Sequence, residues 1–180
     1  PMPEQLDAID TDRLISLLPI RLHEQVAQIG CNDASLVISL AKFLREGGLH
    51  VLDSSSEIVA SCRNRVEETR LSNTQVIHWD GATLPFEPNS LDGVLMAFML
   101  EKVTDPHSLL QSVAGLLRPG GWCAVLGWFR REMDEGPPLK LRVSRKKIHQ
   151  IAKELGLLER WTRNLNGKHY AVQFAKPTQN

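Results

Sequence analysis

Three short segments of the 180-residue chain hold side chains whose types and spacing suit a nucleoside. In the first, Gly30-Cys31-Asn32-Asp33-Ala34, a glycine lets the main chain approach a ligand, and Asn32 is the non-glycine residue type that best tolerates a positive φ. Ala34 stands where a third glycine would leave room, so the full G-x-G-x-x-G is absent and the turn alone reads equally as an ordinary strand-to-helix loop. In the second, Asp53 with Ser54 offers a carboxylate that can accept from both hydroxyls of a ribose; its competing role is to cap the turn with Ser54 and Ser55. In the third, Trp79-Asp80-Gly81-Ala82, a flat apolar face, a carboxylate and a permissive backbone suit a base. Asp80 would accept from an exocyclic amine while a backbone N–H donates to a ring nitrogen. The alternative there is a core tryptophan followed by a turn aspartate.

Other chemistries are argued against by what accompanies these segments. Cys31, Cys62 and Cys123 are widely spaced with no C-x-x-C pair, which suggests reduced thiols rather than a disulfide framework or zinc. The six histidines are scattered without H-E-x-x-H spacing, so no metal is expected. With 42% hydrophobic and 23% charged residues the chain has the material for one compact domain, 1–180, with 1–23 as a covering segment. Its longest apolar run, Val94 to Leu100, is too short to span a bilayer, and the acidic, polar Pro1 to Asp12 does not read as a leader; no membrane and a cytoplasmic location are expected. Net charge is zero, yet residues 1–117 carry 8 basic against 16 acidic side chains and 118–180 carry 13 against 5. That polarity either steers an anionic partner to the C-terminal third or reflects attraction within the domain.

The elements that must position the three segments alternate along the chain. Leu14, Leu17 and Leu18 mark a short helix capped at Thr11-Asp12 and stopped by Pro19. Strands are expected at Glu24–Ile29, Leu49–Leu52, Gln75–Trp79, Leu91–Ala97 and Trp122–Trp128, the last after the turn Arg118-Pro119-Gly120-Gly121. Helices are expected at Ser35–Arg45, at Glu57 to about Thr69 with Ser56 as cap, at Pro106–Leu117 and at Ser144–Leu155. Asn166-Gly167 closes a hairpin of Leu158–Arg163 with Tyr170–Ala175. Strands separated by helices imply right-handed crossovers and a mostly parallel sheet with helices on both faces, an α/β sandwich with an antiparallel edge. Ligands of such sheets sit beyond the carboxyl ends of the strands, which is where all three segments fall.

The order and spacing of VLDSSSEIV around Asp53, DGATLPF from Asp80 to Phe86, Ser90-Leu91-Asp92-Gly93-Val94 and LLRPGG before Trp122 resemble class I S-adenosylmethionine-dependent methyltransferases. Specifically, they resemble the small subgroup of ubiquinone and menaquinone biosynthesis enzymes, over about residues 24–176. The resemblance implies a seven-stranded Rossmann-like sheet with a reversed final hairpin, S-adenosylmethionine as cofactor and a small-molecule methyl acceptor. It implies Gly30 and Asn32 at the methionine end, Asp53 with Ser54 at the ribose, Ile58 packed on the adenine, Asp80 and Gly81 at its edge, and Met96 beside the sulfonium. The chain departs from the family pattern at Gln28, where an acid is usual, at Asn32 and Ala34, where glycines are usual, and at Glu101-Lys102, where the subgroup often has a histidine pair.

These departures define a second reading, a non-catalytic module or pseudoenzyme that keeps the fold and serves in binding or assembly. A nicotinamide-dependent oxidoreductase shares the strand-turn-helix-acid arrangement but would need the missing glycine fingerprint. No catalytic residue is assigned. Glu101 is the carboxylate nearest the proper strand end for a general base, against a solvated helix-start acid. Finally, Arg145-Lys146-Lys147 fill the first turn of the last helix, where the macrodipole disfavours cations. With Lys140 and Arg142 they form a basic cluster for an anionic or protein partner, although the usual fate of such a cluster is solvation; no nucleic-acid fold or aromatic interleaving accompanies it.

Overall fold

The computed structural model describes residues 9–179, so the first eight residues of the expected covering segment lie outside the described residues. The elements run α1 (Thr11–Leu17), β1 (Gln25–Ile29), α2 (Ser35–Phe43), β2 (Gly48–Asp53), α3 (Ser56–Glu68), β3 (Thr74–His78) and β4 (Leu91–Ala97). They continue with α4 (Pro106–Leu116), β5 (Leu117–Trp128), a 3-10 turn (Leu139–Leu141), α5 (Arg145–Glu154), β6 (Leu158–Asn164) and β7 (His169–Ala175). The sheet has seven strands in the order β3-β2-β1-β4-β5-β7-β6. β1 to β5 pair in parallel and β7 runs antiparallel to both β5 and β6, the mixed sheet that the terminal hairpin requires.

The inner parallel strands are buried on both faces, and β4 from Gly93 to Ala97 has no exposed residue, whereas the edge strand β3 exposes Gln75 and His78. One face packs against α1, α2 and α3 through Leu14, Leu36, Leu40, Val59 and Cys62. The other packs against α4 and α5 through Leu110, Val113, Ile148 and Ile151. Burying each such aliphatic side chain contributes about 1.5–3 kcal/mol, so the two layers fix the sheet and with it the loops at its carboxyl edge.

Several boundaries differ from expectation by a residue or two, and three of the differences have a local reason. Asp10, not Thr11-Asp12, caps α1, its carboxylate accepting from the Arg13 N–H at 2.9 Å. Ser55, not Ser56, caps α3 by accepting from Ile58 N at 3.4 Å. β5 begins at Leu117 rather than Trp122, because Leu117 pairs with Leu91 and Gly120 donates its N–H to Lys176 at 2.9 Å, drawing the expected turn into the sheet. No helix among the described residues is long and apolar enough to cross a membrane.

Candidate functional site

Strand order reverses between β1 and β4, which are hydrogen-bonded neighbours although β2 and β3 intervene in sequence. Ligands of open α/β sheets bind beyond the strand ends at such a reversal. The β1 loop is built tightly into this point. The Gly30 N–H donates to the Leu52 carbonyl at 2.7 Å, and φ at Gly30 is +101°. A Cβ on Gly30 would lie 2.4 Å from the Ala97 carbonyl oxygen, so a side chain there would wedge the β1 loop away from the end of β4. Asn32 takes φ 52° and Ala34 φ 68°. The asparagine was expected to adopt that region; the alanine adopts it at a cost of about 1 kcal/mol.

Two amides hold the loop. Gln28 Nε2 donates to the Gly30 carbonyl at 2.8 Å, while Asn32 Nδ2 donates to the same oxygen at 3.3 Å and to the Ala97 carbonyl at 3.2 Å. Their carbonyl oxygens, Gln28 Oε1 and Asn32 Oδ1, are buried and have no hydrogen-bond partner among the described residues. Asp53 ties this loop to the next. Its Oδ2 accepts from the Cys31 N–H at 3.0 Å and its Oδ1 from the Ser55 N–H at 3.0 Å. The turn-capping role is thus real, and each oxygen keeps a second lone pair for a further donor. The Cys31 thiol is held well above its ordinary pKa by its hydrogen bond with Cys62 and by burial, which keeps it protonated and unsuited to act as a nucleophile.

In front of this corner lies a cleft of about 440 Å³, lined by Ser54, Trp79, Asp80, Gly81, Met99 and Lys102 among others. Asp80 Oδ1 accepts from Ala82 N at 2.8 Å and Thr83 N at 3.1 Å, which fixes the turn and leaves Oδ2 available. Trp79 is buried, and its Nε1 has no hydrogen-bond partner among the described residues.

The structure therefore brings Ser54, Asp80 and Gly81 to one cleft and sets Gly30, Asn32 and Asp53 in a buried corner behind it. Met99 connects the two: it lines the cleft, and its Cγ lies 2.9 Å from where a Gly30 Cβ would be. Ile58 packs into the core on the α2–α3 side and Met96 into the core on the α4 side, so neither lines the cleft. Met99, not Met96, is the methionine that lines this cleft. The reason is Phe98, which follows β4 with φ 57°, a conformation costly for a bulky residue; it breaks the strand's alternation immediately before Met99. Phe98 is held there by its N–H bond to the Leu126 carbonyl at 3.0 Å and by ring contacts with His169 and Trp128.

Two further expectations are corrected. Glu101 is not a solvated acid: it is 5% exposed, and its Oε1 accepts from the Trp128 N–H at 3.0 Å. Arg142 does not belong to the exposed basic cluster. Its buried guanidinium donates to the carbonyls of Pro137 and Arg131, both at 2.8 Å, and of Glu135 at 2.7 Å, and its Cζ lies 5.5 Å from the Trp128 ring centroid. It braces the segment between β5 and α5.

A seven-stranded sheet with this order, a reversed β7 and an acid at the end of β2 defines a Rossmann-like fold of the class I methyltransferase type. The model of the methyltransferase domain family matches residues 27–125, and the chain belongs to that family, within the S-adenosylmethionine-dependent methyltransferase superfamily. It is 31% identical over 113 residues to demethylmenaquinone methyltransferase of Listeria welshimeri, covering 62% of this chain and 48% of that protein. With the Bacillus mycoides enzyme of the same name identity is 28% over 106 residues, 58% of this chain and 45% of that protein. The chain thus spans about half the length of these relatives. Among solved structures, a SAM-dependent methyltransferase from Aquifex aeolicus gives a TM-score of 0.87 at 20% identity over 94% of this chain and 91% of that one. The [4+2]-cyclase SpnF gives 0.82 at 14% identity, over 94% and 80%. At such identities the likeness shows the fold alone, and a cyclase on the same fold means that chemistry must be argued from the site.

Proposed function

We propose that this chain binds S-adenosylmethionine in the cleft at the carboxyl ends of β2, β3 and β4, against the β1 loop, and transfers its methyl group to a small-molecule acceptor. The observation that carries the reading is the set of unmatched buried polar atoms at the cleft wall and in the corner behind it. Among the described residues, Gln28 Oε1 and Asn32 Oδ1, in the corner behind the cleft, are acceptors without donors, which suits an ammonium group, and Trp79 Nε1, at the cleft wall, is a donor without an acceptor. Gly30 lets the β1 loop pack against the end of β4, and Asp53 retains lone pairs for ribose hydroxyls. Asp80 Oδ2 would take the amine at the base edge, with Gly81 and the Trp79 face beside it.

The cofactor supplies a methyl group already activated on a sulfonium, which a nucleophile displaces in line. What this chain must do is align the acceptor and exclude water. Met99 forms the apolar wall between the buried corner and the cleft, and the Phe98 kink fixes its direction.

The test is calorimetric titration with S-adenosylhomocysteine and S-adenosylmethionine. Dissociation constants on the order of micromolar are expected, about −8 kcal/mol. Asp80→Ala, at an exposed position where folding is retained, should weaken binding by about 1–3 kcal/mol through loss of a charged hydrogen bond. No heat at millimolar ligand from folded protein would leave the non-catalytic module as the better reading.

A further inference from the structure

We propose that the hollow beside the cofactor cleft is the acceptor pocket and selects a small molecule bearing a carboxylate or phosphate group; this rests on the methyl-transfer reading above. The hollow holds about 490 Å³ and lies between the β4–α4 loop and the start of α5. Glu101, Val103 and Thr104 are on one side; Arg130, Lys140 and Lys147 are on the other. Val103 and Thr104 also line the cofactor cleft, so the two spaces share a wall and a molecule in one is a neighbour of a molecule in the other.

The charge arrangement calls for an anion. Arg130, Lys140 and Lys147 are exposed and none is in an ion pair among the described residues. α5 has no acid in its first turn, which holds Arg145, Lys146 and Lys147 against the positive end of the helix dipole. Such a grouping destabilises the free protein through like-charge repulsion and is relieved when an anion settles among the cations. The cations are also presented rigidly. Arg142, buried beneath them, spends its guanidinium on the carbonyls of Arg131, Glu135 and Pro137 and so fixes the segment that carries Arg130 and Lys140. Leu141, 46% exposed, and Val143 give the hollow an apolar share for the body of the acceptor. The volume is that of a small-ligand site, which favours a metabolite over a nucleic acid strand.

The experiment follows backbone amide shifts of the ¹⁵N-labelled protein during titration with inorganic phosphate and with benzoate at fixed ionic strength, each with and without saturating S-adenosylhomocysteine. Saturable shifts confined to Arg130, Lys140 and Ser144–Lys147 are expected. Lys140→Glu and Lys147→Glu should each raise the dissociation constant by roughly tenfold or more. Lys147→Glu should leave the melting temperature unchanged or higher, because it places an acid at the helix N-terminus, so loss of binding cannot be ascribed to unfolding.

The proposal is overturned by shifts spread equally over Arg21, Arg118 and Arg160, which line a hollow at the amino ends of the parallel strands, or by binding that survives both charge reversals. A response to a short single-stranded oligonucleotide but to neither small anion also overturns it, in favour of an extended polyanion. S-adenosylhomocysteine shifts at Gly30 and Asp80 with no anion response sink the pocket and leave methyl transfer standing. Anion shifts without S-adenosylhomocysteine shifts sink the methyl-transfer reading, and the acceptor role of the pocket falls with it.

Discussion

Replacing Gly30 and Gly81 separately by alanine isolates the steric contact that holds the β1 loop against β4. Both glycines have positive φ, +101° at Gly30 and +84° at Gly81, so both substitutions incur a backbone penalty of about 1–2 kcal/mol. Both also recover about 0.4–1 kcal/mol by restricting the unfolded chain. They differ in what the new methyl meets. At Gly81 nothing lies within 4 Å, whereas at Gly30 the methyl would sit 2.4 Å from the Ala97 carbonyl oxygen and 2.9 Å from Met99 Cγ. The methionine can swing aside, but the carbonyl is fixed by the strand. Separating the β1 loop from β4 should add about 1–3 kcal/mol, the usual range for overpacking. Gly81→Ala should therefore cost about 0–1.6 kcal/mol, and Gly30→Ala about 1–3 kcal/mol more than that. Urea unfolding followed by tryptophan fluorescence measures both, with unchanged m-values as the check on two-state behaviour. Equal midpoints for the two variants would refute the claim that the loops are pressed together at this point.

Two further predictions concern groups beside the site. His169 is buried against the Phe98 and Trp128 rings, and burial lowers its pKa from 6.5 to about 4. The native state thus resists a proton that the unfolded chain accepts below about pH 6.5, so stability is complete above that value and declines as pH falls toward 4. From pH 7 to 5 the loss should be about 2 kcal/mol, and His169→Phe should flatten the profile; a profile equally steep in the variant would remove His169 as the cause. Arg142→Lys keeps the charge but loses the planar fork that reaches three carbonyls, and should cost about 1–3 kcal/mol. Hydrogen exchange should quicken at the Arg131 and Leu141 amides while the sheet stays protected, and unchanged exchange there would show that Arg142 does not brace the segment.

Much of this architecture is written in local chemistry that a linear reading can follow. Buried parallel strands leave apolar runs, helices announce themselves by spacing and caps, and Asn166-Gly167 marks the one hairpin that reverses the sheet. Asp53, Asp80 and Gly30 were visible because their positions follow strand ends. Met99 was not, because every residue from Val94 to Leu100 is buried and the strand's alternation stops at Phe98, whose positive φ no local signal announces in a phenylalanine. Arg142 was also hidden. Among five nearby cations only the convergence of distant carbonyls decides which one turns inward, and that is a property of the closed loop rather than of the residue. The choice of Ser55 over Ser56 as cap was lost for a simpler reason, since adjacent serines offer the same hydroxyl.

The β1 loop exchanges charge for internal order. A carboxylate at position 28 could only accept hydrogen bonds, whereas Gln28 donates one to the Gly30 carbonyl, and Asn32 donates another to the same oxygen. The turn is therefore held by its own amides at the shape a ligand would otherwise have to impose, and the acceptors it offers are neutral. An ammonium bound to amide oxygens lacks the charge–charge attraction that a carboxylate adds, so a neutral cradle grips it less tightly than an acidic one would. On the proposed reading, binding would lean on the adenosine end, where Asp80 keeps an oxygen free and Trp79 lines the cleft. It follows that Gln28→Glu should tighten S-adenosylhomocysteine binding only if the extra charge outweighs the loss of the bond that shapes the turn. Asp80→Ala should weaken it in either background.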